Sequence, residues 1–343
     1  MAKASLEALP FNNTEAVLTL AYIAEARHDF NLSVQIAQQV LADEPNNERA
    51  LSLLVTSYLA QGNGNQALAM AQRLGKQVPT VDTHVLQAIA YAAQNQDSAA
   101  IAQFERALNA EEAGNTASSA QLRLRFGRFY DERGDLLRAK PLYEEALRIV
   151  PQSASALVAL AQLETNLGNY LRAEQLYDQV IANQGLAHVL DHDALAGKAE
   201  LALLQGDRAK AKALWDEAEH NLLDHEDINS FGHRRELAQL LLLQGEVAEQ
   251  PQALQLMQQE FAIRQDAETM ATLAWAMMAN QQWAEAEAIA QQALERYPRH
   301  APLLYRASQI AQQLGKADQS QALQQQAKLI NPYVGQAVSV MAN

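Results

Sequence analysis

The chain has no cysteine among its 343 residues. Disulfides, thiolate metal sites, iron–sulfur clusters and cysteine nucleophiles are therefore excluded, and histidine and carboxylate remain as the available metal ligands. The absence fits an oxidising or a reducing compartment equally. Aromatic residues are scarce at 6%, and there are only 14 glycines and 9 prolines. Basic residues are also few: 26 Lys+Arg stand against 40 Asp+Glu, for a net charge of −14. Such a surface repels polyphosphates and anionic lipid, which excludes nucleic acid and the membrane surface as main partners. No apolar run reaches the roughly 18 residues of a spanning helix, so direct membrane insertion is excluded too. Residues 1–13 (MAKASLEALPFNN) lack a signal-peptide core, and they equally suit the start of a chain whose signal has been removed.

What the chain does have is 49% hydrophobic residues, dominated by Ala and Leu, which lose little on entering a helix. Turn dipeptides punctuate this material: Gly62-Asn63, Gly134-Asp135, Gly168-Asn169, Gly206-Asp207, Gly245-Glu246 and Gly315-Lys316 each separate two apolar helical patterns. Gly134 and Gly168 are 34 positions apart. A second set of punctuators closes the second helices: Pro45, Pro79, Pro151, Pro298 and Pro332, with both 45→79 and 298→332 again spanning 34. Two independent signals with one period predict a helix–turn–helix repeat.

Residues 120–153 (AQLRLRFGRFYDERGDLLRAKPLYEEALRIVPQS) show the unit most clearly. Gly127 and Ala139 let two helices approach, Phe126, Tyr130 and Tyr143 fill the space beside them, Gly134 makes the turn, and Ala146 and Leu147 precede Pro151. This order resembles the tetratricopeptide repeat (TPR). Carried outward, the register gives nine repeats over 14–332, starting near Thr14, Glu48, Val81, Ala120, Ala154, His192, Phe231, Ala267 and Ala301. Residues 1–13 form an N-terminal extension and 333–343 a capping tail. His28 replaces the turn glycine of repeat 1, and Gln250-Pro251 interrupts repeat 7 after its turn. The resemblance implies an all-α, right-handed α-solenoid whose concave wall is lined by the first helix of each repeat, and Trp215 and Trp283 fall where a repeat packs its own helices.

Long steps mark three insertions. Asn109–Ser119 (NAEEAGNTASS) is small and polar and reads as an exposed loop. The stretches 185–193 and 217–227 differ: 5 of the chain's 8 histidines fall within 188–233. His188, Asp191, His192, His220, Asp224 and His225 make a candidate site for Mn²⁺ or another divalent ion, since imidazole and carboxylate suit first-row metals. Alternatively, Asp191 and Asp227 cap helix starts and the histidines are solvated. Residues 216–249 hold nine acids against Arg234 and Arg235, half of the net charge.

Concave places in repeats 4 and 5 include Arg125, Arg128, Asp131, Gln162 and Asn166, where arginine and amide donors can grip an extended peptide or its terminal carboxylate. Repeat 4 is a basic island, with seven basic residues against five acidic. Trp275, Met278, Tyr305 and Gln309 of repeats 8 and 9 form an apolar part of the same expected peptide-binding wall. The two-lysine, two-asparagine and arginine clamp of chaperone-binding TPR domains has no counterpart: repeats 1 to 3 offer Leu18, Tyr22, Leu53, Asp82 and Leu86 there. No Gly-x-Ser-x-Gly, His-Glu-x-x-His or P-loop motif occurs, so the reading is a non-catalytic scaffold with no required cofactor. Repeat number and the His/Asp-rich edge resemble bacterial envelope assembly factors, including the cyanobacterial periplasmic TPR proteins that assist photosystem II maturation and handle manganese. A cytoplasmic regulatory or self-associating scaffold with no metal role is the other reading.

Overall fold

The computed structural model describes residues 14–112, 114–182, 190–224 and 233–335. Among them are eighteen helices, and within each unit most pack against a neighbour in sequence. They fall into two compact units.

The first unit contains α1 (Thr14–Ala26), α2 (Phe30–Asp43), α3 (Glu48–Ala60), α4 (Gly64–Gln77), α5 (Val81–Ala93) and α6 (Asp97–Asn109), with residues 259–269 packed on them. Its core is Leu18, Ala21, Ile36, Ala37, Leu53, Leu54, Tyr58 and Ala67. The second unit contains α7 (Thr116–Asp131), α8 (Leu136–Ile149), α9 (Ala154–Asn166), α10 (Tyr170–Ala182), α11 (Asp191–Leu204), α12 (Arg208–Asp224) and α13 (Arg234–Gln244). It continues through α14 (Gln250–Phe261), α15 (Ala267–Ala279), α16 (Trp283–Arg296), α17 (Ala301–Gln313) and α18 (Ala317–Ile330), apart from the end of α14 and the start of α15.

Local chemistry accounts for the helix ends. Side chains of Asp29, Asn47, Asn115, Asp135 and His300 accept from backbone N–H groups at the starts of α2, α3, α7, α8 and α17, and Thr80 and Thr83 cap α5 reciprocally. Each of Pro45, Pro79, Pro151, Pro298 and Pro332 stands two residues beyond a second helix, where it cannot continue the ladder. The turns take a left-handed backbone. Where glycine is missing, His28 (φ 58°), Asn95 (φ 56°) and Gln281 (φ 59°) adopt it instead, at about 1 kcal/mol each.

Small residues set how closely neighbouring helices approach. A Cβ at Gly127 would sit 2.5 Å from the ring of Tyr143 in the partner helix, and one at Gly197 would sit 2.2 Å from Tyr177 of the preceding repeat. Both tyrosines are fully buried, so each ring lies flat on glycine backbone.

Several expectations are corrected. The loop at 109–119 is shorter, because Asn115 caps α7 and the helix starts at Thr116. Gln250-Pro251 does not break repeat 7: it opens α14, where proline gives up no helical hydrogen bond. Residues 217–224 are helical, part of α12, because Ala218 and Leu222 continue the buried stripe begun by Trp215. Trp215 is core, but Trp283, at the first position of α16, is only half-buried.

Candidate functional site

Helix α7 alternates between anchored and exposed positions. Leu122, Leu124, Phe126, Phe129 and Tyr130 are buried, with the Phe126 and Tyr130 rings 4.8 Å apart. Most of the basic island is consumed in holding this structure. Arg123 pairs with Glu145 at 2.9 Å, Arg133 stacks 3.8 Å over Phe129, and Arg138 pairs with Asp135 at 3.4 Å. Lys140 meets Glu164 at 2.8 Å, and Arg148 meets Glu145 at 3.6 Å. Arg125 and Arg128 are exposed on the α7 surface. On α9, Gln162 is exposed and Asn166 half-buried. Because α7 and α9 pack together, these donors sit on adjacent first helices.

Beside them Asp131 accepts a hydrogen bond from the Tyr143 hydroxyl at 3.1 Å. Burial pushes this carboxyl up to about 6, outweighing the hydrogen bond and the nearby Arg128 charge, which both act downward. The folded chain therefore keeps a proton that the unfolded chain releases between about pH 4 and pH 6. Stability from this group is fully present below pH 4 and falls as pH rises through 6. Allowing for partial exposure, the loss is about 2 kcal/mol. Asp131→Asn is expected to be about 2 kcal/mol more stable than the native chain at pH 7 and equal to it at pH 4 in urea titrations. The same difference at both pH values would exclude this account.

An open depression of about 600 Å³ lies beside the turn of repeat 5, lined by Lys140, Glu144, Glu164, Asn169, Arg172 and Gln175. Its buried carboxylate, Glu164, is already held by Lys140 and by the Asn169 amide at 2.7 Å.

In repeats 8 and 9 the wall differs in character. Trp275 is half-buried on α15, and the Arg306 guanidinium of α17 lies 3.8 Å over its ring. Arg306 Nη1 donates to Gln309 Oε1 at 3.0 Å. Desolvation pushes the guanidinium down to about 10, so it stays charged at neutral pH. Tyr305 faces its own chain, since a Cβ at Gly335 would be 2.3 Å from the ring and the glycine backbone therefore rests on it. Met278 joins the core cluster of Ala274, Ala290 and Ile310. Arg306 was missed in the sequence, although the counting that puts Tyr305 and Gln309 at places five and nine puts Arg306 at place six.

The tentative metal residues separate. His188, the Asp224 side chain and His225 lie outside the described residues. Asp191 is the first residue of α11, following a Leu190 cap, and so does not cap the helix itself. His192 is buried within α11, its ring 5.6 Å from that of His233 in a T-shaped pair, and is not a solvated loop residue. His220 lies on α12. Among the described residues no group of three or more His, Asp or Glu is placed to hold a metal. None of the described helices is long and apolar enough to cross a membrane.

The sequence profile of the tetratricopeptide repeat matches residues 24–90 and 132–191, and a second profile of the same description matches 272–300. No curated protein matches the chain. Among solved structures, the IFIT1 protein bound to the RNA Gppp-AAAA is similar with a TM-score of 0.54 at 13% identity, over 92% of this chain and 71% of that one. PilW, a type IV pilus biogenesis factor, gives 0.51 at 16% identity, over 64% of this chain and 98% of that one. Cut9, in the APC/C hetero-tetramer Cut9–Hcn1, gives 0.50 at 17% identity over 99% of this chain, which spans 58% of its length. Likeness at these identities speaks to the fold. Helix pairs, turn chemistry and profile matches agree that the chain is built from tetratricopeptide repeats.

Proposed function

We propose that this protein is a non-catalytic scaffold that holds an extended peptide segment of a client protein against the first helices of its repeats. The observation that carries the reading is the placement of exposed donors on α7 and α9. Arg125, Arg128 and Gln162 are exposed on neighbouring helices. Guanidinium and amide groups donate in fixed geometry, which suits the carbonyls and carboxylates of an extended chain. RNA, as held by IFIT1, is disfavoured here by the net charge of −14, because phosphate binding needs a surplus of Lys and Arg. The resemblance to envelope assembly factors makes subunits of a maturing envelope complex the first clients to test.

A library of random decapeptides passed over the immobilised protein should yield retained sequences. Arg125→Glu combined with Arg128→Glu should weaken the best of them about tenfold, read by fluorescence polarisation. Unchanged affinity in the double variant would remove these residues from the site.

A further inference from the structure

We infer that Arg306, stacked on Trp275, is a recognition site for the carboxylate of a bound peptide. This rests on the scaffold reading and adds the chemical class of ligand that repeats 8 and 9 take. The argument begins with an anomaly of charge. The chain carries 40 acidic residues, and several of its other half-buried basic residues meet carboxylates: Arg123 with Glu145, Lys198 with Asp178, and Arg264 with Glu260. Arg306 does not. Among the described residues its guanidinium meets one ring face and one amide oxygen, and no carboxylate is near enough to bear on its charge.

The geometry fixes the plane of the guanidinium. One face of the planar guanidinium is covered by Trp275 at 3.8 Å, and Nη1 is held by Gln309 at 3.0 Å. The ring and the amide fix the plane, so the remaining N–H donors keep a set direction in a partly desolvated place. A guanidinium has five N–H donors in a rigid fork, which matches a carboxylate in bidentate fashion. Stacking on an indole weakens neither donor and removes the entropy of orienting them. Desolvation lowers the guanidinium without discharging it, so the cation has lost part of its water and no anion among the described residues compensates. An incoming carboxylate would supply that compensation. Trp275 and Arg306 come from the first helices of consecutive repeats, at the kind of places that present Arg125, Arg128 and Gln162 in repeats 4 and 5.

A peptide carboxylate comes from a C-terminus or from an Asp or Glu side chain, and one experiment separates them. A synthetic library of random decapeptides, prepared once as C-terminal acids and once as amides, is passed over the immobilised full-length protein. Retained sequences are then identified by mass spectrometry. The native chain should retain acids over amides if it reads a terminus, or Asp- and Glu-bearing amides if it reads side chains. With Arg306→Gln that preference should vanish, and the affinity of the best sequence should fall about thirtyfold. Arg306→Lys, which keeps the charge without the fork or the stack, should fall between and guards against misfolding of the first variant. Peptides retained equally by the native chain and both variants would overturn this inference and leave the scaffold intact. Retention of no peptide by the native chain would overturn the scaffold reading itself.

Discussion

Gly134→Ala should destabilise the protein by about 3 kcal/mol, whereas Gly168→Ala, at the same place of the next repeat, should cost about 1 kcal/mol. Both glycines make the turn between paired helices with a left-handed backbone, φ +71° and +77°. A side chain in that conformation costs about 1–2 kcal/mol at either site. The sites differ in what lies beyond. A Cβ at Gly168 meets nothing within 4 Å. One at Gly134 would fall 1.8 Å from the Ile330 carbonyl oxygen, 2.8 Å from its carbon and 2.9 Å from Asn331 Cα. Those are backbone atoms at the end of α18, which cannot rotate aside as a flexible side chain does. The turn of repeat 4 or the end of the last helix must shift, adding a further strain of about 1–3 kcal/mol. Urea denaturation of the two variants followed by circular dichroism reads the difference directly. Equal midpoints would mean that repeat 4 and the end of α18 do not touch in solution.

Glu260→Ala is expected to cost about 3 kcal/mol, although no ligand is involved. Glu260 is fully buried in the first unit, 3.5 Å from His28 Nδ1 and 3.6 Å from Arg264 Nε. Arg264 Nη2 donates to His28 Nε2 at 2.8 Å, and its guanidinium lies 5.7 Å over Phe30. Since arginine can only donate, His28 accepts on Nε2 and turns Nδ1–H toward the carboxylate. Removing that carboxylate leaves a poorly hydrated arginine beside Asp266, 3.8 Å away in a less buried place. Glu260→Gln, which keeps the volume and an acceptor, should lose less, and Glu295→Ala at an exposed position should stay within about 0.5 kcal/mol. Hydrogen exchange supplies a second readout. The Gln265 amide donates to the Ala60 carbonyl at 2.8 Å, so its exchange should quicken in Glu260→Ala if the cluster holds 259–269 in place. Unchanged protection there would mean the cluster is incidental to that docking.

Much of the fold is legible in the residues because a TPR writes each contact close to home. Gly127 and Tyr143 meet within one repeat, and a fixed period announces them. His28 was visible as a departure from the turn pattern, and its left-handed backbone explains how the turn survives. Helix α12 was readable but overlooked: Trp215, Ala218 and Leu222 are spaced by three and four, a buried stripe that the histidines and acids around it obscured. For the candidate site, Arg125, Arg128 and Gln162 followed from register alone. Their neighbours did not, since only side-chain geometry shows Arg123 on Glu145, Arg133 on Phe129 and Lys140 on Glu164.

By itself, then, the sequence determined the repeat, the helix pairs, their capping and the acidic, cysteine-free character of the surface, because those depend on composition and on separations of a few residues to one period. Tertiary structure alone decided three things. It placed Arg264 on His28 across 236 positions with Glu260 beside them, set the end of α18 against Gly134, and left Arg306 on Trp275 with no carboxylate beside it among the described residues. The physical reason is common to all three. Contacts between distant repeats, and the charge a side chain is left to satisfy, depend on packing in space, for which no local period carries a signal.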